Sequence, residues 1–158
     1  MKKSDIKVLT YLRRSGRMPL TTLARKSGLP VSTLHERLRQ KVREGVFKPA
    51  LLLDFAKLGF TSVAFIKIAV DLSEKEALMG FLRVSPNVNS LFRINNGWHA
   101  LAEVVFEDMH QMEDFLERLE SKFHVRQKEV IYVLDELNRE CFLADEVQAQ
   151  HLLARSKV

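Results

Sequence analysis

Seven side chains between Ser32 and Arg43 are placed to do chemistry together. They are Ser32, Thr33, His35, Glu36, Arg37, Arg39 and Arg43, within the stretch ARKSGLPVSTLHERLRQKVREGVF, residues 24–47. Thr21, Thr22 and Arg25 stand just before them. The chemistry on offer is recognition. Hydroxyls donate and accept, an arginine fork fits a phosphate or a guanine edge, histidine can do either, and a glutamate can accept from a cytosine amino group. Only Glu36 and Glu44 oppose the positive charge of this stretch. Like charges four apart on a helix repel, so such a helix makes physical sense against a polyanion that neutralises it.

Three short helices must position these groups. Ser4 suits a cap for a first helix, with Ile6, Val8, Leu9 and Leu12 at spacings of three and four, and Gly16 ends it. A second helix opens near Pro19, whose fixed φ fits a first turn. Leu20, Leu23 and Ala24 form its inner face, and Gly28 stops it. A third helix follows Pro30, with Ser32 as its cap, Leu34, Leu38 and Val42 inward, and Gly45 as a left-handed terminator. Ser32, Thr33, His35, Glu36 and Arg39 then project outward. Arg37 and Arg43 lie further round, towards phosphates or acidic neighbours. Thr33 either serves the helix start or reads a base; Glu36 either accepts from a base or restrains Arg39 or Arg37. Helix, glycine-containing turn, helix is a helix-turn-helix pattern, whose second helix enters the major groove of double-stranded DNA.

Charge supports that partner. Residues 1–48 hold 13 Lys and Arg against three acids, a net of +10, while the other 110 residues carry 12 basic and 17 acidic groups, a net of −5. One third of the chain is a cation and the rest is mildly acidic. No run approaches the roughly 20 apolar residues of a membrane span. The amino terminus lacks the apolar core of a secretory signal. The single cysteine, Cys141, leaves no internal disulfide and no multi-cysteine metal site. The expectation is a cytoplasmic protein without metal or cofactor. No phosphate-binding glycine loop, HExxH zinc motif or nucleophile elbow occurs.

The remainder reads as α+β. VFKPALLLD (46–54) fits an extended linker strand, with Pro49 suited to an edge. TSVAFIKIAVD (61–71) is β-branched and alternating, and SEKEALMGFLRVS (73–85) opens on a capping box, Ser73 with Glu76. NVNSLFRI and HALAEVVFE flank the hairpin signal NNG. A helix follows Asp108, and VRQKEVIYVLDEL supplies the last strand. The order is β-α-β-β-α-β, a ferredoxin-like unit with two helices on one sheet face. The other face needs cover, and a second copy of the chain is the obvious source. The expected division is a helix-turn-helix domain at 1–46, a linker strand and turn at 47–60, the βαββαβ domain at 61–136 and an extension at 137–158. In the extension Phe142, Leu143, Val147, Leu152 and Leu153 can form an amphipathic helix that docks on a partner or frays.

Taken together, DIKVLTYLRRSGRMPLTTLARKSGL, GLPVSTLHERLRQKVREGVF, LLLDFAKLGF and the hairpin ending VVFED resemble the Lrp/AsnC family of transcription regulators. The likeness spans residues 5 to about 134, and LDFAKLGF matches the family's L-D-x-x-x-L-G-[YF] linker. The resemblance implies a sequence-specific DNA-binding regulator that is a homodimer, with tetramers or octamers as further states. It also implies palindromic operators and a small effector, often an amino acid. The family's G-D-Y-D hairpin is NGWH here, so Asn96, Gly97, Trp98 and His99 stand at the positions the resemblance gives to the effector, with His99 replacing an aspartate; a Trp beside a His at such a hairpin serves either packing or ligand binding. Two other readings compete. One is an enzyme similar to siroheme decarboxylases, which would enlist Arg93, His99, His110 and His124. The other is an effector-binding module that no longer binds DNA. Neither needs a +10 first third.

Overall fold

A computed structural model describes residues 3–155. Residues 1–2 and 156–158, the outer ends of the expected first domain and of the extension, lie outside the described residues. The chain forms two compact units. One runs from Leu53 to Glu136; the other joins the amino-terminal residues through Leu52 to the carboxy-terminal ones from Leu137.

The amino-terminal unit, the head, contains α1 (Lys3–Arg14), α2 (Leu20–Ser27), α3 (Val31–Arg43) and, from the far end of the chain, α6 (Glu146–Arg155). Val8, Leu23, Ala24 and Leu34 form its core, with Tyr11, Leu12, Met18, Leu29 and Leu38 packed around them. Helix ends account for the sharp turns. After α2, Gly28 adopts φ +70 and Leu29 N–H reaches back to Ala24 C=O. After α3, Gly45 does the same, with Val46 N–H donating to Lys41 C=O and Gly45 N–H to Val42 C=O. Both are glycine-terminated closures in which a left-handed residue lets the chain satisfy the last carbonyls.

Several local expectations are corrected here. Ser4 lies inside α1, and its hydroxyl accepts from Arg37 rather than capping. Pro30 occupies the cap position of α3, so Ser32 sits two residues too far in to cap it. Val42 is exposed, leaving Leu34 and Leu38 as the inward pair. Residues 47–54 form no strand, because no strand among the described residues pairs with them.

The second unit contains β1 (Ser62–Val70), α4 (Lys75–Val84), β2 (Val88–Arg93), β3 (Ala100–Phe106), α5 (Met109–Lys122) and β4 (Val125–Tyr132). The strands form one antiparallel sheet in the order β2-β3-β1-β4. Alternation sends Ala64, Ile66, Ile68 and Val70 of β1, with Ala100, Ala102, Val104 and Phe106 of β3, into one face. Leu78 and Leu82 of α4 and Met112, Phe115, Leu116 and Leu119 of α5 close over them. Phe115 lies 5.4 Å from Phe106 and 6.1 Å from Phe81, centroid to centroid. Asp108 caps α5 by accepting from Gln111 N–H at 2.9 Å. The capping box at Ser73 is not formed: a 3-10 turn, Leu72–Glu74, precedes α4 and absorbs Ser73, while the Glu76 carboxylate takes a two-toothed grip from Arg93 at 2.6 and 2.8 Å.

The opposite sheet face is mixed. Phe65 pairs in register with Ile131 and Glu103, and Lys67 with Leu101 and Glu129. Glu103 is buried there, accepting from Asn89 Nδ2 and Ser90 Oγ, each at 2.6 Å.

Candidate nucleic-acid interface

Helices α2 and α3 carry the ten residues expected at DNA. Thr21, Arg25, Ser32, His35, Glu36, Arg39 and Arg43 are exposed, and Thr22, Thr33 and Arg37 are half-buried. Their electrostatic states differ. Arg37 turns onto α1, where its Nη1 lies 2.8 Å from Asp5 Oδ1 and 3.0 Å from Ser4 Oγ. It ties α3 to α1. Arg43 and Glu36, seven residues apart, pair across two helical turns at 3.1 Å. Glu36 therefore restrains Arg43, not Arg39 or Arg37. Lys41 is held by Glu44, whose carboxyl is lowered from its ordinary value first by the hydrogen bond from Lys41 and then by that from Gln40. Arg25 and Arg39 are exposed and have no ion pair among the described residues.

A feature the sequence reading left open is the destination of the α1 cations. Arg13 Nη1 lies 2.8 Å from Glu140, Lys7 Nζ 3.5 Å from Glu146 and Arg14 Nη2 3.7 Å from Asp145. All three acids belong to the extension. No sequence pattern marks these pairs, since the partners are more than 120 residues apart.

The hairpin residues Asn96–His99 have a defined geometry of their own. Asn96 (φ 57) and Gly97 (φ 83) make the two-residue turn, and Trp98 N–H closes it onto Asn95 C=O at 3.3 Å. Two successive left-handed residues are what Asn-Gly provides in a type I′ hairpin. Trp98 is half-buried beneath the Lys67 ammonium, which sits 4.9 Å from its ring centroid. His99 Nδ1 accepts from Val70 N–H at 3.2 Å. An accepting Nδ1 carries no proton, so the ring hydrogen is on Nε2. Two open grooves of this unit lie elsewhere. One of about 630 Å³ runs beside α5 between Asn87 and Arg118, and one of about 450 Å³ lies between Arg83 and Arg93.

This division of labour is matched by known proteins. Residues 1–48 fit the model of a winged helix-turn-helix DNA-binding domain, and residues 63–141 fit that of the Lrp/AsnC ligand binding domain. The chain belongs to the Lrp/AsnC family of transcriptional regulators. Among relatives, an HTH-type transcriptional regulator of Pyrococcus horikoshii, PH1916, is 30% identical over 107 residues, covering 65% of this chain and 71% of its own. The regulator LrpC of Bacillus subtilis is 24% identical over 115 residues, 72% of this chain and 80% of its own. Among solved structures, the transcriptional regulator NMB0573 of Neisseria meningitidis, in complex with L-Met, superposes with a TM-score of 0.80 at 26% identity. That match covers 88% of this chain and 93% of the other.

The residues that the enzyme reading would enlist make other contacts or lie apart. His110 stands in the first turn of α5 and His124 lies just past its end, with a helix roughly 20 Å long at 1.5 Å per residue between them. Arg93 is engaged by Glu76 and His99 by the β1 backbone. Among the described residues no three His, Cys, Asp or Glu side chains gather as a metal-ion ligand set. No helix among them is long and apolar enough to cross a membrane.

Proposed function

We propose that this regulator works in the cytoplasm as a homodimer on palindromic DNA, with α3 in the major groove and α2 against the adjoining phosphates. Arg39, His35, Ser32 and Thr33 face base edges and backbone. Arg25, Thr21 and Thr22 meet phosphates, and Arg43 joins them once DNA competes with Glu36. Arg37 acts from behind, by holding α3. The observation that carries this reading is the exposure of Arg25 and Arg39 without an acidic neighbour, on a head whose other helical cations are mostly neutralised. Two heads one helical turn apart require half-sites about 34 Å apart. The pairing surface is the sheet face bearing Phe65, Leu101, Phe92 and Ile131, whose half-exposed apolar side chains a second copy would bury. Tetramers and octamers extend the same assembly.

A small effector is the second part of the proposal. The NMB0573 structure holds L-Met, and the turn Asn96-Gly97-Trp98-His99 presents an Asn amide and the free Nε2–H of His99. Those donors suit a carboxylate, as on an amino acid. The test is selection of bound duplexes from a random pool at fixed salt, with and without added amino acids. Recovered sequences should be palindromic with a one-turn spacing. Recovery of no enriched sequence would refute operator recognition.

A further inference from the structure

The extension after β4 is long and folds back onto the head. Its helix α6 packs along α1 and buries Ala149 completely. Between Leu137 and α6 the backbone itself is recruited: Arg13 Nε donates to Phe142 C=O at 3.0 Å, and Arg14 Nε to Ala144 C=O at 2.6 Å. Glu140 (φ 56) and Leu143 (φ 62) occupy the left-handed region, which costs side-chain-bearing residues free energy. The two arginine contacts flank Leu143 and hold it there. Asp145 has two roles, with Oδ1 capping α6 through Gln148 N–H at 2.9 Å and Oδ2 facing Arg14. Three carboxylates thus cover Lys7, Arg13 and Arg14, all on α1, and none covers Arg25 or Arg39 on α2 and α3.

We propose that the extension is a specificity element. It masks Lys7, Arg13 and Arg14 of α1 and leaves phosphate contact to the unpaired cations, Arg25 and Arg39 among them. Without it, Lys7, Arg13 and Arg14 would add a sequence-independent grip on DNA and narrow the gap between operator and any other duplex. Masking is selective because the acids are fixed by helix packing, a cap and arginine-to-carbonyl bonds, not by free side chains. The idea rests on the DNA-binding reading above.

The test uses the full chain carrying Glu140→Gln, Asp145→Asn and Glu146→Gln together. These substitutions are isosteric; Asn remains a good helix cap, and Ala149 is untouched. Circular dichroism checks that helix content is retained. Binding to a random-sequence duplex is then measured by fluorescence anisotropy between 50 and 200 mM salt. Each newly engaged cation should steepen the log–log salt slope by about 0.9, up to about 2.7 for three, equivalent to about a 40-fold larger affinity loss over that range. Affinity for the random duplex at low salt should rise as well. A slope and low-salt affinity unchanged from the parent would overturn the masking role. A second variant, Ala149→Glu, expels α6 by steric and charge conflict and should steepen the slope in the same direction; a shallower slope there also overturns the role. If the parent protein itself fails to bind any duplex at 50 mM salt, the DNA-binding reading has failed, an outcome distinct from the other two.

Discussion

Arg37 and Arg39 are two residues apart, yet one is read here as a strut and the other as a contact, and substitution of each to Ala separates the roles. Arg37 makes a charge-assisted pair with Asp5 and a bond to Ser4, with side-chain exposures of 31% for Arg37 and 17% for Asp5. Hydrogen bonds to charged groups contribute roughly 1.5–3 kcal/mol when buried, and screening at a third exposure brings that to about 1–2 kcal/mol. For a unit this small, each kcal/mol moves Tm by about 4–8 °C. Arg37→Ala should therefore lower the head's melting transition by about 5–15 °C while leaving the salt slope of duplex binding unchanged below that transition. Arg39→Ala should do the reverse. The melting transition stays put, and either the slope falls by about 0.9, if Arg39 meets phosphate, or operator affinity falls by about 5- to 150-fold, if it grips a guanine. Scanning calorimetry and anisotropy titrations on the full chain read both. Asp5→Asn supplies the cycle: Arg37 and Asp5 should show a coupling energy, whereas Arg39 and Asp5 should be additive. A shallower slope in Arg37→Ala with an unmoved transition would reverse the assignment and put Arg37 on the DNA.

Leu34→Ala removes a fully buried side chain from the small head core and should cost about 2–5 kcal/mol, abolishing the head's cooperative melting while the sheet unit still melts; retention of both transitions would deny Leu34 its central place. Trp98→Ala should change the mass distribution in light scattering or the response to amino acids without altering the salt slope, and a change in slope alone would detach the hairpin from assembly. Glu76 is lowered from its ordinary value chiefly by the Arg93 hydrogen bond. The stability from that pair is present above the usual carboxylate range and lost as pH falls through the lowered value. Glu76→Gln should therefore show a smaller acid-side drop in urea midpoint than the parent, and an equal drop would place the loss in other carboxylates.

How much of this was legible in the sequence depends on how local the determining physics is. The helix-turn-helix and the βαββαβ order rest on periodicity and on residues with one preferred geometry, such as Gly28, Gly45 and the Asn96-Gly97 turn, and those are as the spacing predicts. Asp108 caps α5 through a local bond, its carboxylate accepting from Gln111 N–H three residues on. Caps that failed did so by competition. Ser4 is taken by Arg37, Ser73 is absorbed into a 3-10 turn, and Pro30 moved the start of α3 ahead of Ser32. The linker at 47–54 shows the opposite limit, since extended propensity makes a strand only where a neighbouring backbone pairs with it. Ion partners such as Glu140 for Arg13 join distant parts of the chain, and charge spacing along one helix carries no trace of them.

That last point changes what the net charge of the head means. A count of +10 treats every cation as equally available to phosphate. Among the described residues, Lys7, Arg13 and Arg14 are answered by the extension, and Arg37, Lys41 and Arg43 by Asp5, Glu44 and Glu36. Six of the described cations of residues 1–48 remain without an ion pair: Lys3, Arg17, Arg25, Lys26, Arg39 and Lys48. Six phosphate contacts per head, before Arg43 is drawn from Glu36, correspond to a slope near −5.4 and about a 10³-fold loss of affinity between 50 and 200 mM salt. If counts alone governed, all thirteen cations would engage, and the slope would be roughly twice as steep. The salt dependence of a single head on a half-site thus measures whether charge is sorted by the fold or merely concentrated by the sequence.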